Sequence, residues 1–476
     1  MKKIVLPLVA VAAVAGIAPK FVATQVNTSL NGFVAHINNM PGYKASLSNL
    51  ETTWFTTTAD IKVSLELPNY GQPMDEQAKQ ALEAFTVNID FDATHGPVLF
   101  GQHSGLGWSG WTATVNGDKL REHAQWQEGT PIYQLTSILG LAGTHRFADQ
   151  MPQVTIDGDN KSSLNFSGYE GAGTYNGKAL IYAGQAESVT AQEPLLDMKA
   201  SSLSFDIDMQ SSIQDALEQG LYDSVSKLNV ADFVLTTGEN SETTTVKNAY
   251  LSAVTNVDET LSVGGIAMSY GVEKLSTGSF SGEDMALDME FNNLSGEVLR
   301  AWQKFAEEMN KVDPQHLPVK MQEFGQQHLL TLLKEQPQIN ITSLRATLPQ
   351  GKVDSNIYTS LVGIDALPDN LQDIGFWASH ALMNGKIAGD KAAIEFVAAE
   401  MIKQQMLADP QAREMTPEQL EQISQMALQQ TQGMLGMLTE QGMVIATETN
   451  YESVLKFENS QLTVNGKVIP LPIPGA

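Results

Sequence analysis

Apolar and polar residues alternate with a period of two along much of the chain from Tyr43 onward. Between Ala59 and Leu67, Ile61, Val63, Leu65 and Leu67 alternate with Asp60, Lys62, Ser64 and Glu66. This is the pattern of an antiparallel strand with one buried and one wet face. Phe85–Phe91, Gly110–Val115, Gln153–Asp157, Ser162–Phe166, Gly173–Tyr175, Lys178–Tyr182, Leu203–Met209, Phe233–Thr237 and Leu261–Tyr270 read the same way. Asn176 and Gly177, between two of these runs, predict a two-residue hairpin turn because both tolerate positive φ. The first half is therefore expected to meander in sequence order.

A helical period interrupts this pattern in several places. Phe21–Met40 carries Val22, Val26, Leu30, Phe33, Val34 and Ile37 at helical spacing, and Pro41–Gly42 stops it. Such a stalk can dock on its own domain, on a sister helix or on a membrane surface, and its lack of Lys and Arg argues against the basic lipid-surface type. Further on, Leu203–Met209 leads into a helical run Ile213–Leu228, Met285–Phe291 into Val298–Met309, and Leu382–Ala388 into Ala392–Met406. These strand-helix units recur at about 80 to 100 residues, through duplication or as a common motif. Val319–Glu335 predicts a longer helix ended by Pro337. Pro417–Gln441 predicts another, with Thr416 as cap and Gln419 completing a capping box. The chain closes with strands Met443–Phe457 and Gln461–Val464, then Lys467–Leu471 across an Asn465–Gly466 turn. The Pro470–Ala476 tail is too proline-rich for a sheet, and so many helices argue against an outer-membrane barrel.

The amino terminus adds an address. Lys2 and Lys3 precede the uncharged apolar run Ile4–Ala18, followed by Pro19 and Lys20, which reads as a signal or signal-anchor. The run falls short of the roughly 20 residues that span a hydrocarbon core, unless Lys20 snorkels and Phe21 and Val22 extend it. Ala13–Val14–Ala15 offers a cleavage site; a site after Ala18 is spoiled by Pro19. An uncleaved anchor, oriented by Lys2 and Lys3 with the amino terminus in the cytoplasm, is the expectation. A soluble periplasmic protein after cleavage is the alternative. The expected division is 1–22 signal-anchor, 23–41 amphipathic stalk, 42–230 β-rich region and 231–476 α+β region.

Composition narrows the partners. A net charge of −26 and no basic stripe exclude a phosphate-tracking surface, so no nucleic acid is expected. The chain has no cysteine, hence no disulfide and no thiolate metal site. No catalytic elbow, His-Glu-x-x-His pair or phosphate loop occurs. His95, before Gly96 and Pro97, either fills a turn or acts as a base with help from His103; His123 and His145 are isolated. The acid pairs Asp90/Asp92, Asp157/Asp159, Asp206/Asp208 and Asp288/Glu290 each project to one face of a strand. Calcium sites and glycosidases use such pairs, but so does any solvated acidic sheet. Met401, Met406, Met415, Met426, Met434, Met437 and Met443 form a late cluster suited either to a soft apolar groove or to core packing.

The order of features resembles the YdgA-like family of Gram-negative envelope proteins, a domain of unknown function. The resemblance rests on the anchor, the stretch Trp54, Phe55, Thr56 and Thr57 opening a strand, His95, Gly96 and Pro97 after the next strands, and a closing hairpin through Leu462–Lys467. Thr52 and Thr53 stand where the family often has Arg-Gly. The resemblance implies a single-span protein with a large periplasmic β-rich domain, possible self-association, and no catalytic residues to carry over. The expectation is an α+β fold, a large antiparallel meander with flanking amphipathic helices behind a membrane anchor helix. A non-enzymatic binding or scaffolding role follows, without catalytic, metal or cofactor residues. Partners are the membrane, a second copy or another envelope protein; a lipid carrier is the alternative, and a hydrolase using His95 a distant one.

Overall fold

The alternation expected over Ala59–Leu67 falls in a strand that starts earlier, at Thr56, and is described as far as Leu65. Ala59 and Ile61 point into a core and Lys62 into solvent. In a computed structural model of the chain, the structure describes residues 2–40, 42–65, 86–158, 161–219, 221–238, 242–258, 262–278, 280–309, 312, 314–407 and 416–471. Leu67, Phe85, Asp159, Leu261, Met415 and the tail from residue 472 lie outside these, as do the side chains of residues 1–17. The chain divides into two units, Met1–Ser241 with Leu299–Glu323, and Glu242–Val298 with Phe324–Ala476.

The first unit opens with helix α1 (Lys2–Asn39), which runs without a break through Pro19. Its strands are β1 (Tyr43–Thr52), β2 (Thr56–Leu65), β3 (Val87–His95), β4 (Val98–Leu99), β5 (Gly105–Leu106), β6 (Ser109–Val115) and β7 (Tyr133–Leu139). They continue with β8 (His145–Met151), β9 (Val154–Asp157), β10 (Ser163–Phe166), β11 (Tyr169–Tyr175), β12 (Leu180–Glu193), β13 (Leu196–Met209) and β14 (Ser224–Thr237). Each main strand pairs antiparallel with the next, β1 to β2, β3, β6, β7, β8, β11, β12, β13 and β14. The short β9 and β10 pair with each other, and β10 continues alongside β12. The meander expected from the alternation is thus present.

Helix α1 covers β1–β3. Val26, Leu30 and Val34, four residues apart, form one helical face that packs on Leu47, Ala59, Ile61, Ile89 and Phe91. Register places Leu47 and Ile89 opposite Ile61, so three strands supply one apolar patch to the helix. Phe33, expected on this face, points outward and is 43% exposed. Asn38 fixes the far end of the helix, exchanging two hydrogen bonds with the Ala45 backbone.

Two local expectations are overturned here. Ile213–Leu228 is not one helix: α2 spans only Ile213–Gln219, and β14 begins at Ser224. Thirteen register pairs with β13, ending Met209 to Ser224, outweigh a helical spacing that carries Val225 between Ser224 and Ser226. Nor is Asn176–Gly177 a two-residue turn. The loop runs from Asn176 to Ala179, and the Asn176 side chain accepts from the Lys178 and Ala179 amides.

The second unit repeats the antiparallel logic with longer strands: β15 (Glu242–Asp258), β16 (Val263–Thr277), β17 (Phe280–Ser295), β18 (Gln338–Leu348), β19 (Gly351–Leu361) and β20 (Ala381–Asp390). The last of these pairs with β22 (Asn450–Glu458), which also takes β21 (Ile445–Ala446) and β23 (Gln461–Val464), and β24 (Lys467–Ile469) closes the row. Met443–Phe457 is therefore two strands, while Asn465 and Gly466 both take positive φ in the expected turn. In chain order the helices between these strands are α3 (Gly296–Met309) and α4 (Leu317–Lys334), whose residues Leu299–Glu323 belong to the first unit, then α5 (Ile374–His380), α6 (Lys391–Leu407) and α7 (Pro417–Glu440). Seven helices and a dominant antiparallel sheet among the described residues make the fold α+β. Helix α7 carries the expected capping box, Thr416 and Gln419 bonding reciprocally. It buries Ile423, Ala427, Thr431 and Leu435 along one stripe and packs against α6.

Candidate functional site

Two of the motifs that carry the family resemblance, Trp54–Thr57 and His95–Pro97, meet at one end of the first unit's sheet. The β1–β2 turn holds Trp54 and Phe55, and β3 ends at His95, which pairs beside it. The His95 amide donates to the Phe55 carbonyl at 2.8 Å. Its ring Nδ1 donates to the Trp54 carbonyl at 3.4 Å, which leaves Nε2 to accept from Thr57 Oγ1 at 3.1 Å. Thr52 Oγ1 lies 3.3 Å from that hydroxyl, and Thr53 Oγ1 bonds Thr56 Oγ1 at 2.7 Å across the turn. His95 and Thr57 are both 0% exposed. Burial lowers the His95 pKa against the weaker raising effect of the Trp54 carbonyl bond, so the ring sits neutral with both nitrogens engaged.

Gly96 and Pro97 carry the chain from this clamp into a loop holding β4 and β5. The Gly96–Pro97 bond is cis. The Gly96 amide donates to the Trp108 carbonyl at 2.7 Å, and Gly107 returns a bond to Pro97 at 3.1 Å. A Cβ on Gly96 would lie 1.6 Å from the Gly107 carbonyl oxygen, so only glycine allows the two chain segments this approach. Trp108 then ties the loop to the β7–β8 turn, donating from its amide to Leu139 at 2.8 Å and from Nε1 to Leu141 at 3.1 Å.

His103 does not join His95. It bonds Thr94 through Nδ1 at 3.2 Å and Thr112 through Nε2 at 2.8 Å, on the opposite face of β3, because Thr94 and His95 are neighbours on a strand. It sits against Gly110, where a Cβ would come within 2.5 Å of the His103 side chain. Its pKa too is lowered by burial, with Asp92 opposing weakly. His145 contacts Ser137 at 3.4 Å, while His123 is exposed.

The acid pairs are spread over both units, and six of their described carboxylates bond amides or a cation. Asp90 accepts from Asn116 at 2.5 Å and Asp92 from Gln102 at 3.1 Å. Asp157 accepts from Gln125 at 3.3 Å, Asp208 from Gln210, and Glu290 from Asn292 at 3.2 Å. Asp288 pairs with Arg345 at 3.0 Å. Among the described residues no group of three or more His, Asp or Glu is placed to hold a metal ion. Met401, Met426, Met434 and Met437 lie exposed, away from the buried stripe of α7.

Two features escaped the sequence reading. Asp149 accepts from Tyr133 at 3.1 Å and from Tyr182 at 2.9 Å, and Tyr182 in turn meets Tyr169. Burial raises the Tyr133 and Tyr182 pKa values, with the Asp149 charge adding to the effect. The opposed glycines Gly171 and Gly184 leave room for the Tyr169 and Tyr182 hydroxyls, and this paired-glycine signal was present in the sequence. The second feature is a set of exposed apolar side chains held by the clamp. Phe55 and Phe100 meet edge to face at 6.4 Å, Lys20 Nζ lies 5.7 Å from the Trp54 ring, and Leu106 is 66% exposed.

The arrangement is thus a fastener. Directional bonds from two buried polar residues lock two turns together and present aromatic rings outward. Among comparisons with known proteins, the profile of a bacterial protein family of unknown function (DUF945) matches residues 1–472. No curated protein and no solved structure matches.

Proposed function

The chain belongs to this bacterial family of unknown function, and we propose that it is a membrane-anchored envelope protein whose antiparallel sheets bind or scaffold another envelope component. One observation carries the reading: α1 is a single helix, docked on β1–β3 through Val26, Leu30 and Val34, while its first half carries the charge-free run Ile4–Ala18. Docking fixes the sheet to whatever the first half enters. Among the described residues no helix is long and apolar enough to cross a membrane, and the side chains of residues 1–17 lie outside them. From Lys2 to Ala18 the helix is about 25 Å long, close to the roughly 30 Å of a hydrocarbon core.

The orientation proposed puts Lys2 and Lys3 in the cytoplasm and both units in the periplasm. The narrower YdgA-like assignment belongs to the same proposal and rests on Trp54–Thr57 and His95–Pro97. Carbonate extraction of membranes tests the anchor: retention is expected, and release of the full chain into the supernatant refutes it. For the scaffold, a photo-crosslinking residue at Phe33, on the outward face of α1, is expected to trap one discrete partner or a second copy.

A second reading, carriage of an apolar ligand, draws support from α6 and α7. Met401 is 69% exposed, and Met426, Leu428 and Met437 present further apolar surface there. Organic extraction of the purified full chain followed by mass spectrometry separates the two readings. A stoichiometric lipid favours carriage; a lipid-free protein with crosslinked partners favours the scaffold.

A further inference from the structure

We propose that the clamped end of the first unit's sheet is itself a membrane-contacting surface, seated in the headgroup region of the bilayer that α1 enters. The inference rests on the anchoring reading and adds a second, independent attachment to it.

Register puts the relevant turns side by side. Thr56 pairs with Thr94, His95 with Ser109, and Ser109 with Leu139, so the β1–β2 turn, the β3–β6 loop and the β7–β8 turn emerge at one end of the sheet. At that end Trp54, Phe55, Phe100, Leu106 and Leu141 are exposed, Phe100 by 59%. So much apolar surface on adjacent turns marks a contact site. The same turns carry no charge: Asp, Glu, Lys and Arg are all absent from Thr52 to Ala59, from Ala93 to Gly117 and from Gly129 to His145. The opposite end of β6 differs, since its turn to β7 contains Asp118, Lys119, Arg121, Glu122 and Glu128. In a chain of net charge −26, this end alone among the turns compared is free of the carboxylates that lipid headgroups would repel.

The helix identifies the occupant. Along α1, Asn38 bonds Ala45, Leu30 packs on Ala59 and Ile61, Asn27 bonds Thr52, and Lys20 lies against Trp54. The helix therefore runs toward the uncharged turns and continues past them to Lys2. A Lys beside a Trp at the point where an apolar helix leaves its domain matches the interfacial belt of membrane proteins, where aromatic rings sit at headgroup depth and Lys reaches to water. Phe21, next to Lys20, is 73% exposed at the same level. A second copy of the chain would also cover apolar turns, but the helix directs a bilayer to them.

The absence of cysteine allows a clean test. Single substitutions Leu106→Cys and Leu141→Cys, with Asp118→Cys as the control at the other end of β6, are labelled with NBD in the full chain. The proteins are reconstituted into phosphatidylethanolamine–phosphatidylglycerol vesicles containing doxyl-phosphatidylcholine. The proposal expects blue-shifted emission, doxyl quenching and loss of iodide quenching at 106 and 141, and free iodide access at 118. Iodide access at 106 and 141 equal to that at 118 overturns it, as does shielding from iodide without doxyl quenching, the signature of a second copy. Carbonate extraction of the same vesicles reads the anchor separately. Retained protein with aqueous labels at 106 and 141 sinks this inference alone, and released protein whose labels had been lipid-quenched sinks only the anchor.

Discussion

Replacing His95 with Ala removes the fastener and nothing else at the surface. The residue is fully buried, so the effect is structural and its size can be reasoned from the contacts. The bond to Thr57 at 3.1 Å is worth about 1 kcal/mol net, and the longer one to Trp54 at 3.4 Å less. Truncation also leaves the Trp54 carbonyl without this donor and a void the size of an imidazole, adding about 1–2 kcal/mol. The sum, about 3 kcal/mol, corresponds to a roughly hundredfold rise in local opening. Native-state hydrogen exchange reads it directly: the amides of His95, Gly96 and Trp108, bonded to Phe55, Trp108 and Leu139, should lose about two decades of protection. His95→Asn, which keeps a donor near Nδ1, should lose less. Unchanged protection in His95→Ala together with lost function in cells would refute the clamp and return His95 to chemistry.

Gly96→Ala forces a Cβ to 1.6 Å from a backbone oxygen and should abolish soluble expression or sharply lower the melting temperature, whereas Gly101→Ala, with φ +69 but nothing within 4 Å, should cost only about 1 kcal/mol. Burial lowers the pKa values of His95, His103 and His145 from 6.5, so the unfolded chain binds protons more readily than the folded one. Their contribution is complete above about pH 6.5, declines as pH falls toward the folded values and levels off below them; urea midpoints that stay flat or rise on acidification from pH 8 to 5 would contradict this. Thr416→Ala removes the capping box of α7 and should cost about 1 kcal/mol, seen as faster exchange in its first turn. Arg121→Lys should destabilise the β6–β7 turn by about 1 kcal/mol or more, because the guanidinium bonds the Trp126 and Thr130 carbonyls at 3.1 Å while stacking 3.9 Å from the Trp126 ring. Differential scanning of that variant against Arg121→Ala checks the assignment.

The fold class was legible where one face of a strand is dry and the other wet. In β2, Ala59 and Ile61 are buried under α1, and the alternation is plain. It faded in β15, where most residues are half-buried on both faces and no contrast exists to read. The strands β7, β8, β15, β18 and β19 went unrecognised from the sequence. The β13–β14 pairing overrode a helical spacing in the same way. Helix ends were easier, because the Thr416–Gln419 box is local chemistry. The clamp was not: Thr57 and His95 stand 38 residues apart, and no local rule joins them. Their motifs were visible through family resemblance alone, without a role. The exposed rings were hidden as well, since an apolar residue does not announce whether it is inside or out. The uncharged stretch from Ala93 to Gly117 was the available signal.

The chemistry of the clamp and the chemistry of the surface it carries explain each other. Turns bearing Phe55, Phe100 and Leu106 would bury those side chains against the sheet if packing alone decided, because burying each is favourable by about 1.5–3 kcal/mol. Keeping them outward needs a restraint that does not itself consume apolar side chains. Directional bonds from His95 and Thr57 supply it, since a hydrogen bond fixes geometry where hydrophobic contact only fixes proximity. Burying a neutral histidine is tolerable here because both ring nitrogens are engaged, and Gly96 allows the backbones to close over it. A polar interior beneath an apolar exterior inverts the usual layering of a soluble domain. That inversion is stable only if the exterior has an apolar or interfacial neighbour of its own, and the bilayer proposed above, toward which α1 runs past Lys20 and Trp54, would be that neighbour.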